Sequence, residues 1–363
     1  MAANSTMDAR TRRGPHPLAL AYLAFFGLLI VAGAGITVFG DPHAGESVIA
    51  MDLPQSAARP IRHAVNLPAN KPNAAQALTD QSQLPQAAPQ AVTQQVYAGH
   101  ALVADPALIE NTPAGPLPRI AENGTTPMRA YAPPIAGDGH PRIAIVIGGL
   151  GISARQTTAA LNGLPPGVTL AFAPYAGDTQ HWVSEARNQG HEVLLEIPME
   201  PYDFPDSDPG PHTLRSGAGE DANTERLVWA LTRFSGYAGV TNLLGGRFLS
   251  DGLSLEPMLT YLARRGLMFY DNGTVAHSAA SDVASRVGVP FAQADSTIDT
   301  IQTAMEIDRR LSALETVART RGSAAGTGGL YPVTIDRVRI WARGLAGRGF
   351  VLVPASAIVT QSK

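Results

Sequence analysis

From Arg142 to the C-terminus, short runs of branched apolar residues alternate with longer amphipathic stretches. A run of roughly four to eight apolar residues between turn signals suits a strand buried on both faces, and an amphipathic stretch between two such runs suits a crossover helix. The runs predict strands at 143–147, 169–173, 193–197, 239–242, 267–270, 290–293 and 350–352, with a weaker one at 324–327. The first, Ile143-Ala144-Ile145-Val146-Ile147, stops at Gly148-Gly149 and predicts a buried strand feeding a tight turn. Ser153 then predicts a helix N-cap, with Gln156 completing a capping box. Asp178 caps a second helix ended by Gly190, and Ser254 caps another ended by Gly266. Residues 298–321 read as one long helix, and 334–346 carry Val338, Trp341 and Leu345 at helical spacing before Gly347 and Gly349. About seven or eight βα units predict an α/β fold, a distorted, nearly closed parallel β/α barrel.

The N-terminal part has a different texture. Arg10, Arg12 and Arg13 precede an uncharged apolar span at 18–39, long enough to cross a hydrocarbon core of roughly 30 Å. The expectation is a basic cytoplasmic segment at 1–17, a single-pass signal anchor at 18–39 in the inner membrane, and the remainder in the periplasm. A cleaved signal peptide ending at Ala32-Gly33-Ala34 is the competing reading. Residues 40–141 are rich in Ala, Pro and Gln, as in Asn111-Thr112-Pro113-Ala114-Gly115-Pro116, and sustain no apolar period. They read as a disordered tether carrying the 142–363 domain away from the membrane.

Charge and composition narrow the function. The charged fraction is 16% and the formal net charge −3, without the dense basic face that a nucleic-acid partner requires. Cysteine is absent, which excludes disulfides, thiolate zinc sites and cysteine nucleophiles. In a β/α barrel the site lies at the C-terminal ends of the strands. Gly148, Gly149, Pro174, Tyr175, Glu196, Glu200, Asn242, Asp271 and Asp295 fall there, whereas His191 precedes a strand and reads as a solvated turn residue on the opposite rim. Gly149-Leu150-Gly151-Ile152-Ser153-Ala154 also matches a dinucleotide-binding turn. That chemistry needs an acidic residue at the end of the second strand, and the chain offers no carboxylate there before Asp178.

Gly190-His191-Glu192-Val193-Leu194-Leu195-Glu196-Ile197-Pro198-Met199-Glu200-Pro201, with Asp208-Pro209-Gly210-Pro211, Gly239-Val240-Thr241-Asn242 and Leu267-Met268-Phe269-Tyr270-Asp271, resembles the divergent polysaccharide deacetylases over 142–356. The resemblance implies a distorted barrel related to the NodB-type carbohydrate esterases. It also implies a divalent metal, commonly zinc, held by an aspartate and two histidines and activating water against an N-acetyl carbonyl. The chain departs from that pattern. Gly148-Gly149-Leu150-Gly151 stands where the family has Asp-Asp-Leu-Gly, Leu243 where it has a histidine, and Gly328-Gly329-Leu330 where it has Gly-His-Pro. Glycine and leucine offer no lone pair to a hard cation, so no metal ligand is assigned and no cofactor is expected.

The acidic and amide groups that remain define the candidates. Glu196 and Asp271 are candidate catalytic carboxylates. Gly148, Gly149, Tyr175, Glu200, Tyr202, Asn242 and Asp295 are candidate substrate-binding residues. The plainer alternative has Glu200 fixing its loop and Asp271 bonding backbone at a strand end. Tyr175, Trp182, Tyr202, Phe204 and Tyr270 are candidates to stack on sugar rings, Trp182 at a spacing that also suits core packing. Two functions follow: an envelope polysaccharide deacetylase with a site rebuilt from carboxylates, or a barrel that binds cell-envelope glycan or a peptidoglycan-associated protein without hydrolysis.

Overall fold

A computed structural model describes residues 104–135 and 139–360. The predicted membrane span at 18–39 and the tether up to 103 lie outside the described residues, among which no helix is long and apolar enough to cross a membrane.

The C-terminal part of the predicted tether is folded, which corrects that expectation. Strands β1 (Ile109–Thr112) and β2 (Gly115–Pro118) form an antiparallel hairpin in which Thr112 pairs with Gly115. Helix α1 (Pro127–Tyr131) follows, capped by Thr126. The buried side chains Leu108, Leu117, Met128 and Tyr131 dock this segment on the barrel. The Tyr131 hydroxyl accepts from the Asp105 amide at 3.0 Å, and the Arg187 guanidinium lies 4.5 Å over its ring. These elements are too short to build a period, so the pattern missed them; tertiary contact, and not propensity, holds them.

The main sheet is parallel throughout. It comprises β3 (Arg142–Leu150), β4 (Thr169–Phe172), β5 (Val193–Met199), β6 (Gly239–Leu244), β7 (Met268–Asp271), β8 (Phe291–Gln293), β9 (Ser296–Thr297), β10 (Ser323–Gly328) and β11 (Val351–Val353). The order is β8-β7-β6-β5-β4-β3-β10-β9, with β11 also paired to β3. The two ends of this curled sheet are one stretch of chain. After β8 pairs with β7, the Ala294 amide still donates to the Asp271 carbonyl, whereas the Asp295 amide donates to Ala325 and β9 pairs with β10.

The helices are α2 (Ala154–Gly163), α3 (Thr179–Asn188), α4 (Glu220–Leu231), α5 (Gly246–Ser250), α6 (Gly252–Arg264), α7 (Ala280–Val287), α8 (Ala304–Arg321) and α9 (Pro332–Arg343). Ser153 caps α2 through the Gln156 amide, as the sequence predicts. Asp178 stands at the start of α3 without a side-chain cap bond. Helix α6 is capped by Asp251, whose Oδ1 accepts from Leu253 and Ser254, and not by Ser254 itself. The predicted helix at 298–321 starts only at Ala304, where Thr303 accepts from the Glu306 amide. The preceding residues instead close the sheet and form the site wall.

Side chains alternate along each strand between two apolar layers. Ile143, Ile145, Ile147, Leu170, Phe172, Leu195 and Ile197 pack in the larger layer with the helices, while Val146, Ala171, Leu194, Met268, Tyr270 and Ala325 form a second cluster inside the curl. Tyr270 reaches from β7 to donate to the Gly326 carbonyl of β10 at 3.1 Å. Buried there, it is lumen filling and not a surface for stacking sugar. At the N-terminal end of the strands, the Glu192 Oε1 accepts from Thr169 and from the Ser356 amide, so the C-terminal segment seals that end. His191 is buried in the same region, Nδ1 against the Val168 carbonyl at 2.9 Å, and not solvated as its turn position suggests.

Candidate functional site

Strand β3 does not stop at the glycines. It continues to Leu150 across a bulge, in which Ile147 pairs with Leu170 and Leu150 with Phe172, one residue extra on β3. Gly149 takes φ +83° there, a left-handed conformation suited to glycine. The bulge turns the Gly149 amide toward the lumen, where it donates to Glu196 Oε1 at 2.9 Å. Gly148 supplies the space, since a Cβ built on it would lie 2.4 Å from the same oxygen. The two glycines and Glu196 therefore fit one another, the first by room and the second by its donor.

Glu196 lies two residues beyond Leu194 on β5 and shares its face, so its carboxyl sits above the apolar plug. Burial pushes its pKa up to about 7, against the opposing pull of the Gly149 hydrogen bond. Its Oε2 is buried and has no partner among the described residues, as is true of Oγ1 of Thr241, the residue in register with Glu196 on β6. Both residues line a cleft of about 380 Å³ at the C-terminal ends of the strands. Its walls include Gln156, Asn242, Asn272, Asp299, Thr327 and Tyr331. Asp299 is held by the Gly329 amide at 2.7 Å and the Thr334 hydroxyl at 2.8 Å, both on Oδ2. Among the described residues, no lysine, arginine or histidine lines the cleft.

The predicted residues divide. Gly148, Gly149, Glu196 and Asn242 come together at the cleft. Asn242 is also structural, donating to the Leu244 carbonyl at 2.7 Å and accepting from the Asn272 amide at 2.9 Å. Asp271 does not line the cleft; fully buried, it accepts from the Gly273 amide at 2.9 Å and the Gln293 side chain at 3.3 Å. The catalytic pairing of Glu196 with Asp271 is thereby corrected, because Asp271 is consumed by the turn after β7. Glu200 accepts from the Ser216 amide at 2.7 Å and fixes its loop. Asp295 pairs with Arg321 and accepts from the Ala325 amide at 2.9 Å, on the neighbouring lobe. Tyr175 packs beside Trp229, itself stacked by His212 at 3.6 Å, in a separate depression. Tyr202 is exposed and bonded to the Ser250 hydroxyl outside the cleft lining.

Sequence reasoning missed Thr241, Asp299, Asn272 and Tyr331. Asp299 was hidden by the overlong helix prediction, although Thr303 followed three residues later by Glu306 is a capping-box signal for the true start. Thr241 carries no signal apart from its register with Glu196.

The divergent polysaccharide deacetylase model matches residues 145–359. The chain belongs to that family. It is 26% identical to the uncharacterized protein YibQ of Escherichia coli over 56% of this chain and 62% of that protein, so the match spans less than two thirds of the relative. An uncharacterized protein of Haemophilus influenzae is likewise 26% identical, over 56% of this chain and 72% of its own length. The crystal structure of an uncharacterized protein of Agrobacterium tumefaciens is 40% identical, with a TM-score of 0.67, over 68% of this chain and all of the other.

The zinc that the family resemblance implies does not fit this member's donor set. Hydrolytic zinc takes about three protein ligands and leaves a position open. Among the described residues, no three His, Cys, Asp or Glu converge. The cleft holds two carboxyls, Glu196 and Asp299, each with an oxygen already committed to a backbone amide. Leu243 and Gly329 line the cleft at two family histidine positions, and an aspartate at 148 would collide with Glu196. The carboxyl that faces the lumen thus comes from β5 and not from β3.

Proposed function

We propose that this chain is a cell-envelope carbohydrate-binding member of the divergent polysaccharide deacetylases, working without the family's metal-dependent hydrolysis. Its 18–39 span anchors it in the inner membrane and its 142–363 domain works in the periplasm. The basic flank of Arg10, Arg12 and Arg13 supports that orientation. One observation carries the binding reading: two buried, unpartnered oxygens, Glu196 Oε2 and Thr241 Oγ1, at a cleft rich in hydroxyls and side-chain amides. Buried polar atoms are normally paired, and a polar ligand would satisfy these. Envelope glycan is the ligand favoured by family membership, with a peptidoglycan-associated protein as the alternative occupant of the same rim.

The test is calorimetric titration of the full chain in detergent with soluble peptidoglycan strands, alongside an assay for released acetate. Saturable binding that weakens at least about tenfold in Glu196→Ala or Thr241→Val, without acetate release, is expected. Acetate release that depends on added zinc would overturn the reading. A rebuilt deacetylase site is the second reading, favoured by the Glu196 pKa near 7, the range in which a general acid or base works best. Metal-independent acetate release abolished by Glu196→Gln would establish it instead.

A further inference from the structure

The floor of the cleft specifies which end of a hydrogen bond a ligand must supply. The Gly149 amide donates to Glu196 Oε1, which leaves Oε2 as the only carboxyl oxygen free to carry a proton. Thr241 Oγ1, one strand over and in register, is a second unpartnered hydroxyl. Among the described residues, no cationic side chain lines the cleft to balance a carboxylate. The titratable groups around Glu196 are acids or phenols: Asp299 and Tyr331 in the walls, and Asp271 and Tyr270 on β7. In the adjoining lobe Arg310 is tied to Glu306, and Asp295 to Arg321. The strands next to β5 contribute Ala171 and Thr241, and β3 contributes Val146 and Gly148. A buried carboxyl in such surroundings is stable as the neutral acid, an O–H donor at Oε2. A carboxylate ligand would meet Asp299 with no counter-charge, so the matching ligand group is a neutral acceptor.

Resting on the reading of the cleft as a saccharide site, we infer that Glu196 selects the acyl group of the sugar: the neutral carboxyl donates its Oε2 hydrogen to the carbonyl oxygen of an N-acylated unit, and the carboxylate does not bind it. Glu196 is then a specificity-determining residue, and the bulge at Gly148-Gly149 is what aims it. The acid form offers O–H to the ligand carbonyl. The base form offers a second lone-pair-bearing oxygen in its place, and two acceptors repel.

The experiment titrates the full chain with the tetramer of N-acetylglucosamine at pH 5.5 and pH 8.5. With Glu196 titrating at about 7, its neutral fraction at pH 8.5 is small and affinity falls about 30-fold. Binding at pH 8.5 takes up one proton, read from the dependence of the heat on buffer ionisation. Glu196→Gln keeps an acceptor for Gly149 and a donor at the other position, so it binds equally at both pH values, near the wild-type affinity at pH 5.5. Thr241→Val weakens binding at both pH values and leaves the pH dependence intact. The fully deacetylated tetramer, lacking the carbonyl, binds at least about tenfold more weakly at pH 5.5. Tetramer binding that is the same at both pH values in the wild type overturns the assignment of Glu196 while leaving the saccharide reading standing. No saccharide binding at either pH overturns both. Should Glu196→Gln fail to fold, the wild-type pH pair and the proton uptake decide alone.

Discussion

Adding one methyl group at Gly148 tests the geometry on which the site rests. A Cβ there would lie 2.4 Å from Glu196 Oε1, so the carboxyl must swing away in Gly148→Ala. Gly148 has no positive φ, which makes space and not backbone strain the issue. The displaced carboxyl forfeits its 2.9 Å hydrogen bond from Gly149 and leaves that amide unpaired. An unpaired buried group costs about 1–3 kcal/mol, and overpacking a filled site costs about as much again. The expected destabilisation is roughly 2–5 kcal/mol, read from urea unfolding midpoints followed by tryptophan fluorescence. The decisive comparison is a double-mutant cycle. Glu196→Ala removes the obstructing atoms, so adding Gly148→Ala to that background should cost little, with a coupling of about 2 kcal/mol between the two sites. Additivity within about 0.5 kcal/mol would refute the claim that the glycine exists to make room for the carboxyl.

Three other outcomes follow from burial. Glu196 has its pKa raised from 4.5 to about 7, so the folded state keeps a proton that the unfolded chain releases, and stability falls by about 3 kcal/mol as pH rises from 4.5 to 7. Glu196→Gln should therefore match the wild type at pH 4 and exceed it at pH 8 in denaturant midpoint. His191 has the opposite sign: burial lowers its pKa from 6.5 to about 4, so stability present above 6.5 is lost by about 3 kcal/mol as pH falls to 4. His191→Asn should flatten that acid limb in thermal melts, and an unchanged limb would refute the assignment. A chain starting at Arg142 loses the burial of Leu108, Leu117, Met128 and Tyr131 on the barrel. Each such side chain contributes about 1.5–3 kcal/mol before ordering costs, so the shortened protein should melt about 10 °C lower or more by calorimetry, and an equal Tm would refute a structural role for 104–135.

The barrel strands other than β9 were legible because a parallel strand covered on both faces needs an unbroken apolar run, and such runs ended within three residues of the strands observed. Helix ends were less so. Thr303, Asp251 and Ser254 all carry capping side chains, and the choice among neighbouring caps depends on where the chain must turn. The docked segment at 104–135 was illegible, since its apolar residues answer to a surface supplied by distant parts of the chain.

Apolar runs and motifs along the chain were enough to identify a β/α protein of the polysaccharide deacetylase lineage with glycine and leucine at the usual ligand positions. They also placed Glu196 and Asp271 alike at strand ends as candidate catalytic carboxylates. Those two carboxyls are separated by their tertiary surroundings, which spend Asp271 on the turn after β7 and leave Glu196 at the cleft with a buried, unpartnered oxygen. The physical reason is alternation. In a strand buried on both faces, composition does not reveal which residues face the lumen and which the helices; register, the β3 bulge and the closing segment 291–297 decide it.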